Sequence, residues 1–269
     1  MKLGYIDYLN CYPFYFHMFE RRPLPGVDIH PAHPSELNRM VASGDLDMSP
    51  VSAAAVADMS GRVLLLPDFC LSSIGYVQSV ILTSRVPIED LDGRTVGLTS
   101  ASQTSVVLLK ILLSRYYGLS PVYATGDTRP GLRDFDAALI IGNEAMLPSA
   151  EPIPYTYDLG DLWLRKTGYP VVFAVFTVRR DAAAARPAEV AAVIASYRES
   201  LECLKKERET VIRKAGEKYP DIAFDIGQYY TILQFVFTDR LKSALMFYYN
   251  TAADLGLLKR VEKLEFYEP

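Results

Sequence analysis

The N-terminal segment places a polar amide where an open α/β sheet would bind a ligand. Residues 2–6 form a short apolar run typical of a strand, and Pro13 opens a segment that predicts a helix, because proline is tolerated in a first helical turn. Asn10 lies at this junction, where sheets of this class bind ligands, and its amide offers a donor and an acceptor. The alternative is a simple N-cap role, which Asn also favours.

A second junction carries hydroxyl groups that suit an anion. Residues 95–98 predict a strand, and Thr99-Ser100-Ala101-Ser102-Gln103-Thr104-Ser105 leads into an apolar helix. Free N–H groups and the positive end of the helix dipole can hold a carboxylate or phosphate there. The loop lacks a P-loop and a G-x-G-x-x-G pattern, which disfavours a nucleotide. Because such helix starts are also common caps, a structural role remains open for Ser102, Thr104 and Ser105.

Three further serines lie in or near predicted strands. Ser49 and Ser52 flank a strand-to-turn segment, where they either serve as turn and cap residues or face the same cleft as Asn10. Ser79 falls in the β-prone run 74–83, where a buried hydroxyl needs a partner. It is either a structural, hydrogen-bonded serine or part of a binding site.

Composition excludes several classes of function. The chain has 269 residues and a net charge of −4, which argues against a nucleic-acid or acidic-membrane surface. It shows neither an export signal nor an apolar run long enough to span a membrane. The three cysteines, Cys11, Cys70 and Cys203, are odd in number and widely spaced, as expected of reduced thiols in a cytoplasm.

Metal and nucleophile chemistry have weak support in the sequence. The three histidines have no Cys or carboxylate array at zinc spacing, so no metal site is predicted. No G-x-S-x-G elbow supports a Ser-His-Asp triad. Cys11 is a conceivable nucleophile beside Asn10, but no basic partner is close in sequence, which favours a buried thiol.

The predicted elements form two α/β lobes. Strands and helices alternate through residues 1–85, and a new β-α series occupies residues 86–170. An unbroken apolar strand, 171–178, then returns to the first lobe, and residues 187–269 are mostly helical. Lobe 1 is therefore predicted as 1–85 with 171–269, and lobe 2 as the inserted segment 86–170, with a ligand cleft between them.

Five separated motifs resemble the chorismate dehydratase family of the futalosine route to menaquinone. They are Tyr8-Leu9-Asn10 with Pro13, the turn Ser49-Pro50-Val51, the strand Ser79 to Arg85, Tyr157-Asp158-Leu159-Gly160 with Trp163, and Thr167-Gly168-Tyr169-Pro170. This resemblance covers essentially the whole chain. At Asn143 the family commonly has aspartate, so this position keeps the shape of that side chain and loses its charge.

The resemblance implies a type II periplasmic-binding-protein-like fold and conversion of chorismate to 3-[(1-carboxyvinyl)oxy]benzoate and water, with no cofactor. It implies catalytic roles for Asn10 and Ser79. The predicted substrate contacts are Ser49, Val51, Ser52, Ser102, Thr104, Ser105 and Asn143. Neither Asn10 nor Ser79 is a strong base, so the substrate's own enolpyruvyl carboxylate is a candidate proton acceptor.

Two alternatives remain from the sequence. A cytoplasmic small-anion-binding protein or sensor without catalysis would share this fold, because fold does not fix function. The later dihydroxynaphthoate-forming enzyme of the same pathway is the second alternative, although its N-terminal motif differs from the one in this chain.

Overall fold

A computed structural model describes residues 1–149 and 152–268, and they form two β-sheets flanked by helices. The first sheet contains β1 (Lys2–Ile6), β2 (Asp28–Ala32), β3 (Met48–Ser52), β4 (Val63–Ser73), β10 (Val171–Arg179) and β11 (Leu233–Val236). The second contains β5 (Val80–Ser84), β6 (Thr95–Leu98), β7 (Val122–Thr125), β8 (Ala137–Ile141) and β9 (Tyr155–Asp158).

Both sheets are mixed. In the first, the order is β11-β4-β10-β3-β1-β2; β1 is parallel to β2 and β3, whereas β10 is antiparallel to β3 and β4. In the second, the order is β7-β6-β8-β5-β9, with β6 parallel to β7 and β8 and β5 antiparallel to β8 and β9. The first four strands, β1 to β4, therefore all run in the same direction, as the alternation of strands and helices in this part of the sequence predicts. The returning strand β10 enters between β3 and β4 in the opposite direction.

Ten α-helices lie in the described part of the chain: α1 (Tyr12–Glu20), α2 (Pro34–Ser43), α3 (Gln103–Ile111), α4 (Gly142–Met146), α5 (Leu159–Thr167), α6 (Arg180–Ala185), α7 (Pro187–Lys206), α8 (Arg208–Lys218), α9 (Ile226–Ile232) and α10 (Asp239–Asp254). The helical spacing of Val190, Val193 and Tyr197 predicts helix α7, and all three side chains are fully buried. The sequence predicts that residues 53–57 start a further helix, but Ala53–Asp58 is a 3₁₀ helix instead.

An aromatic cluster forms much of the first lobe's core. Phe14 of α1 packs against Phe69, Phe176 and Tyr197, with ring centroids 6.1, 4.3 and 6.0 Å away, respectively. These rings come from a helix, two strands and the long covering helix α7. Their burial joins the N-terminal and C-terminal parts of the chain around the first sheet.

The connection between the sheets differs from the prediction of one strand over residues 74–83. β4 ends at Ser73 and β5 begins at Val80, and the loop between them holds Gly75 at φ +82° and Gln78 at φ +62°. An extended strand cannot include such left-handed residues. Consequently β5, which was placed in lobe 1, is a strand of the second sheet, and the chain crosses within residues 74–79.

The second crossing runs through α5 and Gly168, which ends that helix at φ +75°. Trp163 is 1% exposed and packs against Tyr116, Phe247 and Tyr248, as predicted for a packing residue. Within the described ranges, no helix is both long and apolar enough to cross a membrane.

Candidate functional site

A cavity that is partly open to solvent is lined by residues from both sheets. Its polar wall consists of Tyr8, Asn10, Ser52, Ser79, Ser102 and Ser105. No Asp, Glu, His, Lys or Arg is found among the described residues that line it. The cavity therefore offers hydroxyl and amide groups in an otherwise apolar, uncharged surround.

Asn10 faces this cavity and does not cap α1. The N-cap position belongs to Cys11, and in the described chain no side-chain cap bond forms there. The Asn10 amide lies beside the Tyr229 hydroxyl and lowers the pKa of that phenol, as a hydrogen-bond donor does. Its Oδ1 is buried and has no hydrogen-bond partner among the described residues. An unpaired buried acceptor is costly, so this oxygen is available to a ligand.

Ser79 shares the same tyrosine. The Tyr229 hydroxyl donates to Ser79 Oγ at 2.8 Å, and the Gly142 N–H donates to the Ser79 carbonyl at 2.8 Å. Burial raises the pKa of Tyr229 well above its usual value, so the phenol stays protonated. The neighbouring Tyr230 hydroxyl donates to the Leu9 carbonyl at 2.9 Å. Helix α9 thus contacts both segments that carry the candidate catalytic residues.

Tyr229 and Tyr230 lie in an aromatic-rich segment, and this pattern alone predicts packing residues. Both are at most 3% exposed, so they do pack, but their hydroxyls also bond to the site. Nothing in the local sequence distinguishes them from the other tyrosines of this aromatic region. Only the position of α9 against the Asn10 and Ser79 segments does so.

The loop before Ser79 is held by Asp158. Its carboxylate accepts hydrogen bonds from the N–H groups of Val77 at 3.0 Å and Gln78 at 2.6 Å, and from Gly160 at 2.9 Å and Asp161 at 3.1 Å. Burial raises the pKa of the Asp158 carboxyl, and these four N–H groups oppose that shift. These contacts connect the two segments through which the chain passes from one sheet to the other. They give the aspartate of the Tyr-Asp-Leu-Gly motif a structural role.

The start of α3 supplies a second polar group to the cavity. Ser102 is the N-cap, and its Oγ accepts the Ser105 N–H at 3.2 Å. Ser52 Oγ, on a side chain that is 1% exposed, has no hydrogen-bond partner in the described part of the chain. The cap interpretation of Ser102 is therefore correct, and Ser102, Ser105 and Ser52 also line the cavity.

Four predicted substrate contacts lie outside the cavity wall. Thr104 accepts the Ala54 N–H at 3.1 Å and donates to the Phe173 carbonyl at 2.9 Å. Ser49 Oγ donates to the Pro50 carbonyl at 2.7 Å, and Val51 is fully buried in β3. Asn143 Oδ1 accepts the Leu9 N–H at 2.9 Å. Hydrogen bonds or burial within the fold account for these four side chains, and none of them lines the cavity.

Thr104→Ala is expected to lower the free energy of unfolding by about 2 kcal/mol, because it leaves a buried N–H and a buried carbonyl unpaired. Thr104→Ser keeps the hydroxyl and is the matched control. Chemical denaturation of the three proteins measures the effect. An alanine variant as stable as the serine variant would contradict the structural role of this hydroxyl.

The comparisons with known proteins show the family of this chain. The family model described as menaquinone biosynthesis matches residues 1–254. The chain belongs to the menaquinone-biosynthesis family. A chorismate dehydratase from Thermus thermophilus is 34% identical over 234 residues, covering 80% of this chain and 82% of the relative. A 1,4-dihydroxy-6-naphtoate synthase from Streptomyces coelicolor is 27% identical over 206 residues, covering 74% and 72%, respectively. The family predicted from the five motifs is thereby confirmed.

Solved structures confirm the fold class. An Archaeoglobus fulgidus protein has a TM-score of 0.76 at 16% identity, covering 96% of this chain and 98% of that one. The alkanesulfonate-binding protein SsuA from Xanthomonas axonopodis pv. citri has a TM-score of 0.67 at 12% identity, covering 98% and 96%. The periplasmic-binding-protein-like fold was therefore predicted correctly. At these identities the likeness shows the fold alone.

Cys11 is not available as a nucleophile in this family member. Its side chain is fully buried, and burial raises the pKa of the thiol far above its usual value. A buried neutral thiol is inert, because the thiolate is the reactive form. No group of three or more His, Cys, Asp or Glu side chains placed to hold a metal ion occurs among residues 1–149 and 152–268.

Proposed function

We propose that this chain is a chorismate dehydratase, a carbon–oxygen hydro-lyase that converts chorismate to 3-[(1-carboxyvinyl)oxy]benzoate and water in menaquinone biosynthesis. The observation that carries the proposal is the uncharged cavity lined by Asn10 and Ser79, with the Tyr229 hydroxyl hydrogen-bonded to Ser79 behind them. The 34% identity to the Thermus thermophilus enzyme supports the choice of substrate.

The reaction needs few protein groups. The C3–H and C4–O bonds of the ring break, a C3=C4 double bond completes the aromatic ring, and the hydroxyl leaves with a proton as water. Aromatisation supplies much of the driving force, so orientation and stabilisation of developing charge are the main tasks. The Ser79 hydroxyl donates to the departing oxygen. Asn10 Oδ1, which lacks a partner in the described chain, accepts a bond from the substrate.

The proton from C3 needs an acceptor that the described cavity wall does not supply. The side chains there are hydroxyls, one amide and apolar groups. This composition supports the substrate's own enolpyruvyl carboxylate as the acceptor. The same absence of a fixed carboxylate avoids repulsion of a substrate that carries two negative charges.

The two substrate carboxylates need donors instead of cations. The start of α3, with Ser102 and Ser105, and the Ser52 hydroxyl are the groups we assign to one of them. A helix N-terminus of this kind stabilises an anion through its N–H groups and its dipole.

We place the lobe boundary near residue 79 and again near residue 159, with the cavity between the lobes.

Ser105→Ala is expected to weaken chorismate binding by on the order of tenfold to a hundredfold, because a hydrogen bond to a charged group is lost. Thr104→Ser, whose hydroxyl lies outside the cavity wall, is the control and should bind normally. Titration of chorismate into a Ser79→Ala background, in which turnover is slowed, measures both affinities. Unchanged affinity in Ser105→Ala would move the carboxylate site away from α3.

The function is tested by mixing purified protein with chorismate, without added metal or nucleotide. We expect loss of the cyclohexadiene absorbance and a product lighter by one water, with the mass and aromatic spectrum of the enol ether. Chorismate that binds and stays intact would favour the small-anion sensor. The absence of both binding and turnover would favour the activity named for the Streptomyces coelicolor relative. The three unpaired cysteines support a cytoplasmic reaction.

A further inference from the structure

Tyr229 is buried directly behind the two candidate catalytic residues. It is fully buried, and its hydroxyl lies 2.8 Å from Ser79 Oγ. Helix α9 carries it, and the Asp225 side chain caps this helix by accepting the Gln228 N–H at 2.9 Å. The hydrogen bond from Tyr230 to the Leu9 carbonyl fixes the same helix on the N-terminal loop. Helix α9 is therefore fixed against both the Ser79 segment and the N-terminal loop, and Tyr229 is held in place with it.

In this cluster each donor acts on the next residue, in the order Asn10, Tyr229 and Ser79. Tyr229 has one hydroxyl proton, which it donates to Ser79, and the Asn10 amide acts on the same hydroxyl as a donor does, by lowering its pKa. Ser79 Oγ thus receives a bond, and its own proton points elsewhere. Among the described residues its acceptor is the Val77 carbonyl at 3.4 Å, well beyond the roughly 2.7–2.8 Å usual for O–H···O bonds.

We propose that Tyr229 is a positioning residue that makes Ser79 a hydrogen-bond donor to the departing C4 hydroxyl of the substrate. This inference rests on the proposed dehydration of chorismate. With Tyr229 donating to its oxygen, the Ser79 proton is turned towards the cavity. The chain from Asn10 through Tyr229 to Ser79 also polarises each successive donor. Without the phenol, the Ser79 hydroxyl rotates freely, and its O–H bond points towards the substrate for less of the time.

The test is a double-mutant cycle on the full-length protein, with chorismate consumption as the assay. Tyr229→Phe should lower kcat by about tenfold, the size of one hydrogen bond, with little change in KM. Ser79→Ala should lower kcat further than Tyr229→Phe does. Adding Tyr229→Phe to Ser79→Ala should cause no additional loss, because the tyrosine acts through the serine.

Tyr197→Phe is the matched control. Tyr197 is fully buried, and its hydroxyl donates at 2.7 Å to the Tyr15 hydroxyl, which is not part of the cavity wall. The two phenylalanine variants should lose similar stability, while Tyr197→Phe should keep the kcat of the unmodified protein. A tenfold loss that is equal with and without Ser79 would overturn the inference, as would full activity in Tyr229→Phe. An unmodified protein that leaves chorismate intact would overturn the proposed function itself, and the inference with it.

Discussion

Asn10→Asp is expected to slow chorismate turnover by about 10²-fold or more, the size seen when one preorganised donor is removed. The aspartate loses the amide donor beside the Tyr229 hydroxyl, and it adds a negative charge to a cavity whose described lining has none. The substrate already carries two negative charges, so repulsion adds to the loss of the donor. Steady-state kinetics with chorismate measure the change.

The size of the side chain is unchanged in this substitution, so the loop should fold normally. Asn250→Asp is the control, because it adds the same charge at an exposed position of α10. Its turnover and thermal stability should match those of the unmodified protein. An Asn10→Asp enzyme that is folded and fully active would remove Asn10 from the active site and leave Ser79 as the surviving candidate.

Gly142→Ala is expected to lower the free energy of unfolding by several kcal/mol and to abolish most activity. Gly142 has φ +62°, a conformation that costs other residues about 1–2 kcal/mol. An added Cβ would also approach the Tyr8 ring, whose Cε2 lies less than 2.5 Å from the ideal position, and such overpacking costs about 1–3 kcal/mol. Denaturation and chorismate assays measure the two effects.

The loss of activity follows from what Gly142 touches. Its N–H holds the Ser79 carbonyl, and the Tyr8 ring that would have to move is part of the cavity wall. Gly216→Ala in α8 is the control, since its nearest neighbour, Ile226 Cδ1, is 3.6 Å from the ideal Cβ. That change should stabilise the helix by about 0.5–1 kcal/mol. A Gly142→Ala protein as stable as Gly216→Ala would contradict the close packing of Tyr8 on this turn.

The sequence by itself determined the elements whose signals are local. Hydrophobic periodicity predicted α7, the apolar run predicted the buried strand β10, and Pro13 marked the first turn of α1. Five motifs predicted the family, and with it the fold class. Asn10 and Ser79 were predicted from their motifs, and the structure brings both to one cavity with a shared hydrogen-bond partner.

Only the tertiary structure decided which hydroxyls line the cavity and which form hydrogen bonds that stabilise the fold. Thr104 and Ser105 are neighbours in one helical turn, yet Thr104 joins β10 to the 3₁₀ helix and Ser105 lines the cavity. Tyr229 lies 150 residues from Ser79 in the chain, so no local pattern relates them. The physical reason is that side-chain type sets which hydrogen bonds a residue can form, whereas distant segments decide which of them it does form.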